Sequence, residues 1–263
     1  MKRAYSLFRS FIQSESKIRW LRRRIVNRML RKQIELAWVE FAKRLPAEAL
    51  INQAFDARYG TDTAEEIRLE DTGVSVEDAS HGQAIYRPVW ESEFHVALAI
   101  LKISVEGFTF IDIGSGKGKV LMMAAEYPFA RVVGIEYSPG LDAIAQRNLA
   151  IFRSTSQRCR VLEAILGNAL EWDLPKGPVI CLVFNALDAG TMRAFVRRVE
   201  GDLFSRTEPA YLLYCNLRHV EEIGDGLDGI FKLILLIKTR RLVVFGNKAA
   251  AVQFSSNPHE PRN

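Results

Sequence analysis

Residues 110–119 read Phe110-Ile111-Asp112-Ile113-Gly114-Ser115-Gly116-Lys117-Gly118-Lys119. A short apolar run ends there in three glycines and gives way to a helix-forming stretch, residues 120–127, stopped by Pro128. Glycine suits such a junction, because the backbone turns sharply and approaches a ligand with no Cβ in the way. Backbone N–H groups at the start of the following helix are free to face that ligand. Two common nucleotide readings fail in this register. A P-loop needs Ser or Thr after its Gly-Lys pair, and Val120 follows Lys119. A dinucleotide fingerprint needs glycine at its sixth position, where Lys119 stands, and a side chain there crowds the packing of helix on strand.

Working outward, the pattern alternates. Residues 131–137 form the next apolar run, and Ser138 then reads as a helix N-cap with Pro139 in the first turn of a helix reaching about Phe152. Strand candidates recur at 160–166, 179–184, 210–215, 231–237 and 242–245, with helical stretches between most of them. Such alternation predicts an α/β fold: an open, doubly wound, mainly parallel sheet covered on both faces. Only residues 238–241 separate the last two candidates. A link that short cannot make a parallel crossover, so these two are expected to be antiparallel.

Composition bounds the rest. The chain has 263 residues, 48% hydrophobic and 25% charged, values of an ordinary globular protein. Its longest apolar runs are far shorter than a membrane span. Three cysteines, Cys159, Cys181 and Cys215, make no CxxC pair, and four histidines show no metal-ligand spacing. Buried thiols in a reducing, cytoplasmic setting are expected, with no metal site. The net charge of +5 is uneven: residues 1–45 carry thirteen Lys/Arg against three Asp/Glu, whereas the rest carry 23 against 28. In this arm Ile18, Leu21, Ile25 and Met29 follow helical spacing among Arg19, Arg22, Arg23, Arg24 and Arg28. The arm is open to three readings: a docked surface helix, a contact with a membrane surface or nucleic acid, or an organelle presequence. No secretory signal is read at the N-terminus.

Asp112 stands two residues before the first glycine, and Glu136 follows 24 residues later at the end of the next strand candidate. This order resembles motif I of class I S-adenosylmethionine-dependent methyltransferases. The resemblance spans residues 84–247 and implies a seven-stranded Rossmann-like sheet whose last strand is antiparallel. It implies cofactor binding by Asp112, Gly114, Ser115, Gly116, Gly118 and Glu136, with the Glu136 carboxylate accepting from the ribose hydroxyls. Asn168 and Ala169, in Leu166-Gly167-Asn168-Ala169, resemble the segment that contacts the adenine amino group; an amide oxygen at 168 accepts that bond as a carboxylate would. Asn185 falls where amino-methylating relatives carry Asn/Asp-Pro-Pro-aromatic. Only the asparagine matches in Asn185-Ala186-Leu187, so amino-group specificity does not transfer.

Residues 55–63 (Phe55-Asp56-Ala57-Arg58-Tyr59-Gly60-Thr61-Asp62-Thr63) and Tyr86-Arg87-Pro88 extend the likeness to a poorly characterised bacterial group of this superfamily. By that likeness the region before motif I caps the cofactor pocket, with Tyr86 and the helix containing Glu93 at its border. The expected layout is a basic helical arm (1–45), a helical cap (46–107), a methyltransferase domain (108–248) and a disordered tail (249–263). Methyl transfer from a sulfonium needs alignment and water exclusion more than a triad or metal. Asn185 and Tyr86 are the weak catalytic candidates, with His95 and His219 candidates only by elimination. Lys117 and Lys119 read as solvated helix-start lysines. The acceptor is open among a small molecule, a lipid-linked precursor and a protein side chain; the acidic main domain argues against nucleic acid. A nicotinamide-dependent oxidoreductase and an inactive cofactor-binding adaptor are the alternatives.

Overall fold

A computed structural model describes residues 48–75, 84–184, 186–216, 234–239 and 241–256. These fall almost wholly in one compact unit, residues 46–236 with 241–263. The basic arm, Asn185, His219 and residues 231–233 lie outside the described residues.

The cap opens with helix α1 (Glu48–Tyr59) and continues through strand β1 (Ile67–Arg68), a 3-10 turn (Leu69–Thr72), strand β2 (Ile85–Tyr86) and helix α2 (Glu91–Ala99). β1 and β2 pair antiparallel, Ile67 opposite Tyr86. The cap is therefore not wholly helical, as its sequence predicted; strands two residues long leave no alternation to read.

The main sheet contains β3 (Thr109–Ile113), β4 (Arg131–Glu136), β5 (Leu162–Leu166), β6 (Val179–Phe184), β7 (Ala210–Cys215), β8 (Ile234–Lys238) and β9 (Leu242–Gly246). Their spatial order is β5-β4-β3-β6-β7-β9-β8. β3 to β7 are parallel, with Ile111 registered against both Val133 and Cys181, and β9 joins β7 antiparallel. This is a doubly wound, seven-stranded, mostly parallel Rossmann-like sheet. β3 and β6 are buried along nearly their whole length, as strands covered on both faces must be, and so appear as continuous apolar runs.

On one face Ile111, Ile113, Val133 and Val183 pack against Phe195, Val196 and Val199 of α5 (Ala189–Ser205). On the other, Phe110 meets Phe94 of α2 and Phe129. Each such buried side chain contributes roughly 1.5–3 kcal/mol. Helix α3 (Lys119–Ala124) follows β3, and α4 (Pro139–Ile151) follows β4. Ser138 caps α4 as the sequence predicted, its Oγ accepting from Leu141 N–H at 3.2 Å. From β3 the chain crosses to β4 on one side and later to β6 on the other, so a crevice opens at the carboxyl ends of these strands.

Residues 249–255, expected within a disordered tail, belong to helix α6 (Lys248–Ser255). Asn247 explains it. Its Oδ1 accepts from Ala250 N–H, capping α6, while its Nδ2 donates to the carbonyls of Leu203 and Glu208. Among the described residues no helix is long and apolar enough to cross a membrane.

Candidate functional site

The loop after β3 is fixed by its neighbours. The N–H groups of Gly114 and Ser115 both donate to the Ile135 carbonyl at the end of β4 (2.8 and 3.2 Å). Gly116 N–H donates to Oε2 of Glu136 at 2.7 Å, and Gly118 N–H to the Ser115 carbonyl at 2.9 Å. Gly114 and Gly116 have φ of 74° and 56°, the left-handed region that side-chain-bearing residues avoid. A Cβ on Gly114 would collide with the Ala186 methyl, and one on Gly116 with the Tyr86 ring. The glycines thus answer to the protein's own side chains.

Asp112 and Glu136 end adjacent strands and are 3% and 6% exposed. No group among the described residues donates a hydrogen bond to Asp112. Burial, then the charge of Glu136, raises its carboxyl to about 8. Glu136 is also raised by burial, an effect opposed by N–H groups on its oxygens, including Ser138 N–H on Oε1 at 2.8 Å. It has two jobs: holding the glycine loop, and presenting its remaining lone pairs to the crevice.

A cavity of about 420 Å³ fills the crevice. Asp112, Gly114, Ser115, Gly116, Glu136, Asn168, Ala169 and Tyr86 all line it. Gly118 does not line it; with φ of 81° it caps α3. The cap contributes Leu69, Ile85 and Val89, which no sequence pattern marked. Ser115 Oγ is buried with no hydrogen-bond partner among the described residues. Asn168 is engaged locally: its Oδ1 accepts from Leu170 N–H and its Nδ2 donates to Glu171, both at 3.0 Å. One Oδ1 lone pair is left for a ligand donor.

Tyr86 donates its hydroxyl to the Thr63 carbonyl at 2.9 Å. Burial and nearby carboxylates, led by Asp56, raise its phenol well above the ordinary value, so it stays protonated. It is a wall and a donor, unsuited to act as a base. His95 pairs with the Tyr127 hydroxyl at 2.7 Å, beside the Phe94 ring, and does not line the cavity.

The lysines overturn their sequence reading. Lys117 is 0% and Lys119 2% exposed. Lys117 Nζ lies 2.8 Å from Oδ1 of Asp62, in the loop after α1. Lys119 Nζ donates to Oδ1 of Asn52 at 2.6 Å and sits 4.9 Å from the centroid of the Phe55 ring. Burial lowers it to about 8. Both ammonium groups face the cap, where α1 (Asn52, Phe55) and the loop after it (Asp62) supply the partners that water would otherwise provide. The segment 55–63 is built for this. Asp56 accepts from Thr61 Oγ1, from Thr63 N–H and Oγ1, and from Ala64 N–H, drawing the loop into a fixed turn.

No protein-family model matches the chain, and no curated protein matches it. Among solved structures it is similar to the ribosomal protein L11 methylase from Lactobacillus delbrueckii subsp. bulgaricus, at 14% identity and a TM-score of 0.42, covering 59% of this chain and 77% of that one. It is similar to a precorrin-6y C5,15-methyltransferase from Geobacter metallireducens at 18% identity and a TM-score of 0.41, covering 58% and 85%. An rRNA methylase from Streptococcus thermophilus shares 10% identity and a TM-score of 0.41, with 59% and 94% covered. What the cavity binds must follow from its own residues.

Proposed function

We propose that the chain is an S-adenosylmethionine-dependent methyltransferase. The observation that carries this reading is the pair of buried carboxylates, Asp112 and Glu136, on one cavity around the glycine loop. Two buried carboxylates call for a ligand with cationic groups and hydroxyl donors, and an adenosyl sulfonium amino acid has both. Glu136 retains acceptor sites for a ribose diol, each bond contributing roughly 1.5–3 kcal/mol. Asp112, with no donor from the described residues, suits a cation. Ser115 Oγ and the spare lone pair of Asn168 supply further polar contacts. The cavity volume of about 420 Å³ lies within the range of ligand pockets, roughly 300–1,000 Å³.

When bound, this cofactor supplies an activated methyl carbon. The chain's own part is to bind, align and exclude water. Tyr86, Ala186 and Val89 line the same cavity. The acceptor is proposed to be a small molecule, a lipid-linked precursor or a protein side chain, reached in the cytoplasm or at a membrane surface. Isothermal titration with S-adenosylmethionine and S-adenosylhomocysteine tests the cofactor reading, which fails if folded protein binds neither. Labelled cofactor and fractionated extract then show which pool receives the methyl group.

A further inference from the structure

The cavity has a direction. Asn168 lies just beyond β5, Glu136 at the end of β4, and Asp112 with the glycine loop at the end of β3. On the cofactor reading above, on which this inference rests, the adenosyl half occupies the β5–β4 side and the amino-acid half lies over Gly116. The cap closes over this second half. Tyr86 covers Gly116, its hydroxyl tied to Thr63, while Lys117 Nζ lies 5.5 Å from the Tyr86 ring centroid and reaches Asp62 on the same loop. Asn148 locks the joint: its Nδ2 donates to the carbonyls of Asp62 and Lys117, and its Oδ1 accepts from Asp62 N–H.

We propose that Lys117 is a positioning residue for the amino-acid end of the cofactor, acting through its ion pair with Asp62 to hold loop 60–64 and Tyr86 over Gly116. Lys117 is fully buried and does not line the cavity, so it acts at one remove. Asp62 has a side chain 56% exposed, so replacing it leaves no new cavity in the core.

The test compares two ligands by calorimetry: S-adenosylhomocysteine, which has the amino-acid end, and 5′-methylthioadenosine, which lacks it. Asp62→Asn is expected to weaken S-adenosylhomocysteine about tenfold, in keeping with coupling between contacting groups, and to leave 5′-methylthioadenosine within about twofold. Asp62→Glu should restore most of the loss. Lys117→Met should reproduce the selective loss, and the double variant should bind no worse than the weaker single one. Additive losses would make Asp62 a direct ligand and overturn the proposal. Equal weakening of both ligands, or no change in either, overturns it as well. If Lys117→Met does not fold, the Asp62 variants alone decide. Wild-type protein that binds neither ligand sinks the cofactor reading itself. Wild-type binding of both, without selectivity in the variants, sinks only this inference.

Discussion

Asp112→Asn separates the demands of folding from those of binding. In the free protein the Asp112 carboxyl is held up at about 8 by burial and by Glu136. At pH 7 only about one molecule in eleven then carries the ionised form, and at pH 6 about one in a hundred. A cationic cofactor binds the ionised form, so a proton must leave on binding. The dissociation constant for S-adenosylmethionine should tighten about ninefold from pH 6 to pH 7, near the limit of 1.36 kcal/mol per unit. Calorimetry at pH 7 in buffers of different ionisation enthalpy should detect about 0.9 proton released per cofactor. In Asp112→Asn both the slope and the proton release should fall close to zero. The stability effect has the opposite sign. Because the folded value lies above the ordinary 3.8, the folded chain holds this proton more tightly than the unfolded one. That contribution to stability is fully present below about pH 4 and is lost as pH rises through about 8. The free variant should therefore melt above wild type at pH 8, with the gap narrowing towards pH 5, while binding cofactor more weakly. A wild-type affinity that is flat between pH 6 and 7, or the same slope in both proteins, would refute this account.

Three further outcomes can be measured. Glu136→Ala should weaken cofactor binding about ten- to a hundredfold by calorimetry and also lower the melting temperature, because Gly116 N–H and Ser138 N–H lose their acceptor; an unchanged affinity would leave Glu136 a loop staple only. Gly116→Ala should cost about 2–4 kcal/mol in urea unfolding, from the left-handed backbone and the clash with Tyr86, and adding Tyr86→Ala should recover part of that; strictly additive losses would show that the ring is not the obstacle. Lys119→Met should raise stability by about 1 kcal/mol at pH 7, since a lysine lowered to about 8 from 10.5 burdens the fold below pH 8 and less as pH rises, offset by the lost Asn52 contact; a lower melting temperature with no pH dependence would contradict it.

The elements legible in the sequence are those whose signal is local. β6 and β7 were visible because a parallel strand buried on both faces is an unbroken apolar run. Helix α4 was visible because Ser138 and Pro139 stand side by side at its start. The glycines with their flanking Asp112 and Glu136 marked the cavity for the same reason: strand ends and sharp turns tolerate few residue types. The two-residue strands of the cap gave no periodicity. Helix α6 did carry a signal, Asn247 followed by Lys248 and three alanines, but its stability depends on Asn247 reaching back to carbonyls near residue 205. The inward turn of the lysines is not legible in the sequence because their partners are distant along the chain: Asp62 lies 55 residues before Lys117, and Asn52 lies 67 before Lys119. Nothing near them says that they turn inward.

The sixth-position lysine shows why spacing alone misleads at this loop. Glycine there serves close approach of helix to strand, so Lys119 implied crowding. Yet the approach is close in this protein. A Cβ on Gly134, in the middle of β4, would fall 2.6 Å from the Ser115 side chain and 2.7 Å from Leu121. Gly134 pairs with Asp112 across the two strands. The residue that makes room thus sits in the strand rather than in the helix, and Lys119 is released to point the other way, at Asn52 and Phe55 of α1. The trade ties the cap to the start of α3 through a buried ammonium, a contact a glycine could not make. Gly134→Ala should therefore lower the melting temperature, as Lys119→Met should not, because the short Ser115 side chain cannot yield as the end of a lysine can.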